Sequence, residues 1–203
     1  MNDISNPLFA RLYDHVLSRE GEKMRDLRRR LLDGASGRVV EVGPGNGPNF
    51  DLYPPTAAEV VAVEPEPYLR RRAGDAARSA AVPIRVVAGT ADELPLEDGS
   101  ADVVVCCLVL CSVDDQASAL REIRRVLRPG GELRLLEHVG AHNRIAQGAL
   151  RFAQATFWPR AFGNCHPARD TLAAVAAAGF DVSGVRRGVL PAPVLPSISG
   201  IAR

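Results

Sequence analysis

Three glycines at alternate positions, Gly43, Gly45 and Gly47, lie in the stretch Val40-Glu41-Val42-Gly43-Pro44-Gly45-Asn46-Gly47, directly after an apolar run. Glycine takes positive φ without penalty and lets main chain approach a ligand closely. Glu41 stands two residues before the first glycine, at a strand end. A second carboxylate, Glu64, ends the next apolar run, VVAVEPEP, 21 residues past Gly43. A carboxylate there can accept both hydroxyls of a ribose, each such bond being worth about 1.5–3 kcal/mol. The loop departs from the dinucleotide fingerprint G-x-G-x-x-G/A, because Pro48 takes the position that needs Gly or Ala. A carboxylate at position 41 suits a cationic ligand and is unhelpful beside a pyrophosphate.

Other residues could act on a second substrate. Glu137 and His138 end the fifth apolar run, and an imidazole with a pKa near about 6.5 can orient or deprotonate an acceptor. A structural, hydrogen-bonded histidine is the alternative. Tyr13 and Asp14 lie in an N-terminal helix that, on its residues alone, reads as an amphipathic surface helix; His15 beside them reads as solvated. Phe152, Phe157, Trp158 and Phe162 form either an acceptor wall or packing beneath a loop. Cys106, Cys107 and Cys111 read as small packing residues. Without a C-x-x-C pair or other spaced ligands near Cys165 and His166, neither a disulfide framework nor a metal site is expected.

The elements that must position these residues alternate. The pattern is helical from Asn6 to about Asp33, with a break near Gly21. Strands are predicted at Arg38–Val42, Glu59–Glu64, Ile84–Ala88, Ala101–Leu108 and Glu132–Glu137. Helices are predicted at Tyr68–Ala81, Gln116–Leu127 (closed by Pro129-Gly130-Gly131) and Thr171–Ala178, and another after the glycine loop. Asp181–Arg187 and Ser197–Arg203 form a closing hairpin. The alternation implies an α/β fold with a mostly parallel sheet and helices on both faces, binding its ligand at the strand carboxyl ends.

At 203 residues, 46% hydrophobic and 24% charged, with net charge +1, the chain suits one globular domain and gives no electrostatic case for nucleic acid. No run reaches the roughly 20 apolar residues of a membrane span, and the N-terminus has no signal-peptide core, so a cytoplasmic protein is expected. A monomer or homodimer is anticipated.

Four segments, EVGPGNG, AVEPEP, GTADELPLEDGSADVVV and REIRRVLRPGGELRLLEH, together resemble the class I S-adenosylmethionine (SAM)-dependent methyltransferases of type 11. Within them, NFDLYPP, DVVVCCLVLCSV, LLEHV and FWPRAFGNC are similar to the methyltransferase-like thiol S-methyltransferases. The resemblance implies a Rossmann-like seven-stranded sheet with a C-terminal antiparallel hairpin, in a single domain of core 38–203 and helical lid 1–34. It implies SAM as cofactor and S-adenosylhomocysteine (SAH) as product. Glu41, Gly43, Gly45 and Gly47 then surround the methionyl part, and Glu64 holds the ribose. Pro65, Ala91 and Asp92 meet the adenine, and Cys107 and Leu108 contact the cofactor through backbone. Relatives often carry Asp where this chain has Thr90, so either Thr90 or Asp92 meets the adenine amine. Tyr13, Asp14 and His138 are the candidate catalytic residues. The acceptor is a small molecule. At pH 7 deprotonating a thiol costs about 2 kcal/mol and a phenol about 4 kcal/mol, and an alcohol needs a strong base or metal. That arithmetic favours a thiol or a neutral amine. A lipid or quinone methyltransferase and a non-catalytic SAM-binding protein are the other readings; an NAD-dependent oxidoreductase is disfavoured by Pro48.

Overall fold

The computed structural model describes residues 7–17, 20–191 and 194–203. Seven strands form one sheet in the order β3-β2-β1-β4-β5-β7-β6. They are β1 (Gly37–Val42), β2 (Ala57–Val63), β3 (Ile84–Val87), β4 (Ala101–Cys107), β5 (Leu127–His138), β6 (Gly184–Val189) and β7 (Pro196–Ala202). The first five pair in parallel; β7 runs antiparallel between β5 and β6. This is the expected Rossmann-like sheet with its C-terminal antiparallel pair. Chain order reverses direction between β1 and β4, so a crevice opens there beyond the strand ends.

The central strands are apolar on both faces because helices cover both. Val40, Val42, Val104 and Cys106 face one core with Ala119, Leu120, Ile123 and Val126 of α4 (Gln116–Val126). Val175 of α7 (Thr171–Ala177) joins them. On the opposite face Val39, Val103, Val105 and Cys107 pack with Met24, Leu31 and Leu32 of α2 (Glu22–Leu32) and Ala73 of α3 (Pro67–Ala77). Glu66, Asp115 and Asp170 each accept an N-terminal backbone N–H and so start α3, α4 and α7.

Several expectations need correcting. The glycine loop leads into a single 3-10 turn, Phe50–Leu52, not an α-helix. Pro129-Gly130-Gly131 is looped out within β5, since Ala101 pairs with Leu127 and Val103 with Glu132. Two helices went unanticipated: α5 (Arg144–Thr156), which buries no residue fully, and α6 (Trp158–Ala161). At the N-terminus α1 (Pro7–Leu12) is followed by a π-turn, Tyr13–Leu17. Asn6, where the helical pattern begins, lies outside the described residues, as do Ser18 and Arg19. No described helix is long and apolar enough to cross a membrane.

Candidate active site

Beyond the carboxyl ends of β1, β2, β4 and β5 lies a cavity of about 1220 Å³. Ligand sites of about 300–1,000 Å³ hold one small molecule, so this one has room for two. Gly43, Gly45, Glu64, Pro65, Ala91 and Asp92 line one side, with Cys107 and Leu108 at its floor. Tyr13 and His138 also line it.

The glycine loop holds Gly43, Gly45 and Gly47 at φ of 62°, 61° and 88°. A Cβ on Gly43 would sit 2.5 Å from Val109, and one on Gly45 would sit 3.1 Å from the Tyr13 ring. The loop spends its glycine N–H groups internally. Gly43 donates to Val63 O (2.9 Å), Gly45 to Glu64 Oε2 (2.9 Å) and Gly47 to Pro44 O (3.0 Å). Phosphate-binding loops keep such N–H groups for the anion. What Gly43 and Gly45, the two loop glycines at the cavity, have left for a ligand is carbonyl oxygen, a surface for cations and hydroxyl donors.

Glu64 is 4% exposed and also accepts from Glu66 N at 3.0 Å. An ionised carboxylate offers about four lone-pair sites, so two remain for a ligand. Burial pushes Glu64 up to about 7, against the two backbone hydrogen bonds.

Glu41 and Gly47 do not line the cavity. Glu41 is buried, with one oxygen on Asn49 Nδ2 (2.7 Å) and the other on Tyr53 OH (2.7 Å). Gly47 is a packing glycine: a Cβ there would meet the Phe50 ring at 2.7 Å. Both shape the loop from behind. Asp14 is likewise displaced from its expected place at the reacting groups. It accepts from Asn46 Nδ2, Tyr68 OH and Arg72 Nε, each at 2.9 Å, and so pins the N-terminal segment to the glycine loop and α3. Burial raises the Asp14 carboxyl, but these partners outweigh it and leave it below its usual range. Tyr13 lies over Gly45, and burial pushes its phenol up to about 12.

Sequence reasoning missed Arg28. This α2 residue is 2% exposed, makes a two-point ion pair with Glu20, and donates to Asn49 Oδ1 and Cys107 Sγ, both at 3.0 Å. It thereby joins the N-terminal segment, the glycine loop and the end of β4. Its mark in the sequence is its place on the apolar face of α2, four residues after Met24 and three before Leu31.

The other side of the cavity is built from the loop after β4, the end of β5 and the segment after α6. Glu137, wholly buried, accepts Val109 N and Leu110 N at 2.9 Å each and Cys111 N at 3.3 Å. It fixes the loop after β4, where Leu108 takes φ of 60°. Burial pushes Glu137 up to about 7. The segment after α6 is stitched to the same loop by His166 N to Cys111 O (2.8 Å), Asn164 Nδ2 to Ser112 O (2.8 Å) and Arg169 Nη1 to Val113 O (2.5 Å). Cys165 Sγ consequently lies 3.7 Å from Cys111 Sγ and 3.4 Å from His138 Nδ1. The contact with Cys111 draws the Cys165 thiol below its usual range, against burial and with help from His138. His138 Nε2 is buried and has no hydrogen-bond partner among the described residues. Trp158 and Phe162, their rings 4.4 Å apart, complete this wall. Phe152 and Phe157 stay exposed, so only two of the four aromatics expected there reach the cavity.

A family model for a methyltransferase domain, type 11, matches residues 40–135. Human thiol S-methyltransferase TMT1A is 38% identical over 183 residues, covering 85% of this chain and 72% of that protein. Human thiol S-methyltransferase TMT1B is 41% identical over 142 residues, covering 64% of this chain; the chain spans 58% of that relative's length. The solved YcgJ protein of Bacillus subtilis superposes with a TM-score of 0.66 at 21% identity, covering 81% of this chain and 69% of that one, a likeness of fold.

Proposed function

The chain belongs to the SAM-dependent methyltransferases of the type 11 domain family, and on that premise we propose that it methylates the sulfur of a small-molecule thiol. The observation that carries the cofactor half is the glycine loop whose N–H groups are already spent, set against the buried Glu64. Its carbonyls suit an ammonium, and Glu64 has acceptor capacity for two ribose hydroxyls. Gly43 and Gly45 bring main chain to the cavity, and Cys107 and Leu108 support the cofactor from the end of β4. Pro65 and Ala91 give an apolar surface to the base, and Asp92 accepts from its amine. When bound, SAM supplies a methyl group already activated on a sulfonium, which the acceptor displaces in line.

The protein's own work is to hold, orient and exclude water. Alignment of this kind supplies about 7–11 kcal/mol in the best cases. Residues 7–17 serve as a lid, with Tyr13 closing on Gly45 and Asp14 acting as its latch, while α2 packs on the sheet as part of the core. Trp158 and Phe162 shield the acceptor, and the unpartnered His138 Nε2 offers it a hydrogen bond. A thiol fits because its deprotonation costs so little. The two thiol S-methyltransferases similar to this chain support the same acceptor atom. The apolar indole and phenyl wall also suits a second reading, a lipid-like or quinone acceptor methylated at oxygen, nitrogen or carbon.

Calorimetry with SAH and NAD tests the cofactor. Micromolar SAH binding without NAD binding is expected; the reverse overturns the reading. SAH formation is then followed across alkanethiols, thiophenols, phenols, amines and quinols. Turnover confined to thiols is expected, and turnover confined to phenols or quinols transfers the assignment to the second reading.

A further inference from the structure

We propose that Cys111, His138 and Cys165 form a three-ligand site for a zinc-class cation whose fourth position opens into the cavity and receives the acceptor sulfur. Zinc bonds sulfur at about 2.3 Å and imidazole nitrogen at about 2.0–2.1 Å. Tetrahedral angles then set sulfur–sulfur edges near about 3.8 Å and sulfur–nitrogen edges near about 3.6 Å. The two sulfurs lie 3.7 Å apart, and His138 Nδ1 lies 3.4 Å from Cys165 Sγ. All three donor atoms fall within 4.8 Å of one another.

The ligands come from the loop after β4, the end of β5 and the segment after α6, yet their spacing is preset. Cys111 N is held by Glu137, the neighbour of His138, and Cys111 O is held by His166 N, the neighbour of Cys165. Each ligand's segment is thus tied to the next through a hydrogen bond to the Cys111 main chain. Two thiolates and one imidazole with an open position is a donor set that catalytic zinc uses, and soft sulfur selects zinc over magnesium or calcium. All three residues line the cavity. A thiol entering the fourth position displaces a water, forms a metal–sulfur bond and loses its S–H proton to solvent. It is then held as a thiolate. Coordination at Nδ1 leaves the proton on Nε2, which keeps the hydrogen-bond donor described above. The acceptor step rests on the thiol reading; the metal site itself does not.

The test uses the full chain, reduced with a phosphine, and cobalt(II) as the probe. One cobalt per chain is expected, with sulfur-to-metal charge-transfer absorption in the near ultraviolet and the intense visible bands of tetrahedral cobalt. Cys111→Ser and Cys165→Ser should each weaken binding on the order of 100-fold, since loss of an outer-shell partner alone costs about 10–100-fold. Cys106→Ala, at a buried cysteine outside the cluster, should leave the affinity unchanged. Adding 2-mercaptoethanol should shift the visible bands. Absent charge-transfer absorption, or equal affinity in Cys165→Ser, overturns the metal site. Bands unmoved by the thiol overturn the acceptor step. SAH titration of the same samples separates the two readings: SAH binding without cobalt binding defeats only the metal site, and cobalt binding without SAH binding defeats only the cofactor assignment.

Discussion

On the side of β1 and β2 the cavity wall is main chain and carboxylate: Gly43 and Gly45 held against Glu64, all within one strand-loop-strand unit. On the side of β5 and α6 it is sulfur, imidazole and indole from separate elements, with Cys111 and Cys165 lying 54 residues apart and Cys165 lying 27 from His138. The first wall presents acceptor atoms fixed by backbone geometry, which a side-chain change elsewhere barely moves. The second presents side chains whose chemistry depends on each other's distance. A wall of the first kind suits a constant ligand; one of the second kind can change its ligand by exchanging a few residues. Glu64 and Glu137 occupy matching places in the two halves, each a buried strand-end carboxylate that accepts main-chain N–H groups. Glu64 keeps capacity for a ligand, whereas Glu137 spends its oxygens on the loop it holds.

The largest effect should come from Glu64→Ala. It removes two charged hydrogen bonds to hydroxyls, worth about 1.5–3 kcal/mol each, so SAH affinity should fall about 100-fold or more by calorimetry. Unchanged affinity would dissolve the distinction between the walls. Next is Arg28→Ala, which leaves Glu20 unpaired and cuts the tie from α2 to Asn49 and Cys107. Breaking such a buried pair costs about 3–5 kcal/mol, which thermal denaturation should register as a drop of roughly 10 °C.

A pH effect of intermediate size sharpens the contrast. Glu64 and Glu137 keep their protons in the folded chain up to about 7, whereas the ordinary carboxyl releases its proton near 4.5. Between those values the folded state binds more protons, so the free protein should lose stability as pH rises from about 4.5 to about 7. Hydroxyl donors favour ionised Glu64, so SAH affinity should rise as pH passes from 6 to 8, by up to roughly tenfold per unit below the folded pKa. Glu64→Gln should flatten that affinity profile, and Glu137→Gln should leave it in place. A profile that survives Glu64→Gln would reassign the titrating group. The smallest effect belongs to Trp158→Ala, which should raise the acceptor KM several-fold, for a loss of about 0.5–1.5 kcal/mol of aromatic contact, and leave SAH affinity intact.

The same contrast explains what could be read without coordinates. The strands, their order of helices and the glycine loop with Glu64 are local patterns, carried by period, glycine and spacing, and the sheet formed as they implied. Glu41 misled because a strand-end carboxylate looks alike whether it faces a ligand or, as here, Asn49 and Tyr53. Asp14 misled similarly, since Asn46, Tyr68 and Arg72, which donate to it, lie 32 to 58 residues away. Cys111, His138 and Cys165 obey no short spacing, so their convergence depends on how the β4 and β5 ends meet the segment after α6, which no local pattern encodes.

The sheet order leaves two rims, β3 and β6, whose outer N–H and C=O groups have no neighbouring strand among the described residues. Such rims are templates on which another chain can add a strand. Here β3 is only four residues long and carries exposed Arg85, and β6 carries exposed Arg186 and Arg187. Any second molecule aligning on either rim must bring its own strand against guanidinium groups. Crowded copies of this chain should therefore repel one another edge to edge, and replacing these arginines with valine should turn a well-behaved concentrated solution into one that grows fibrous aggregates.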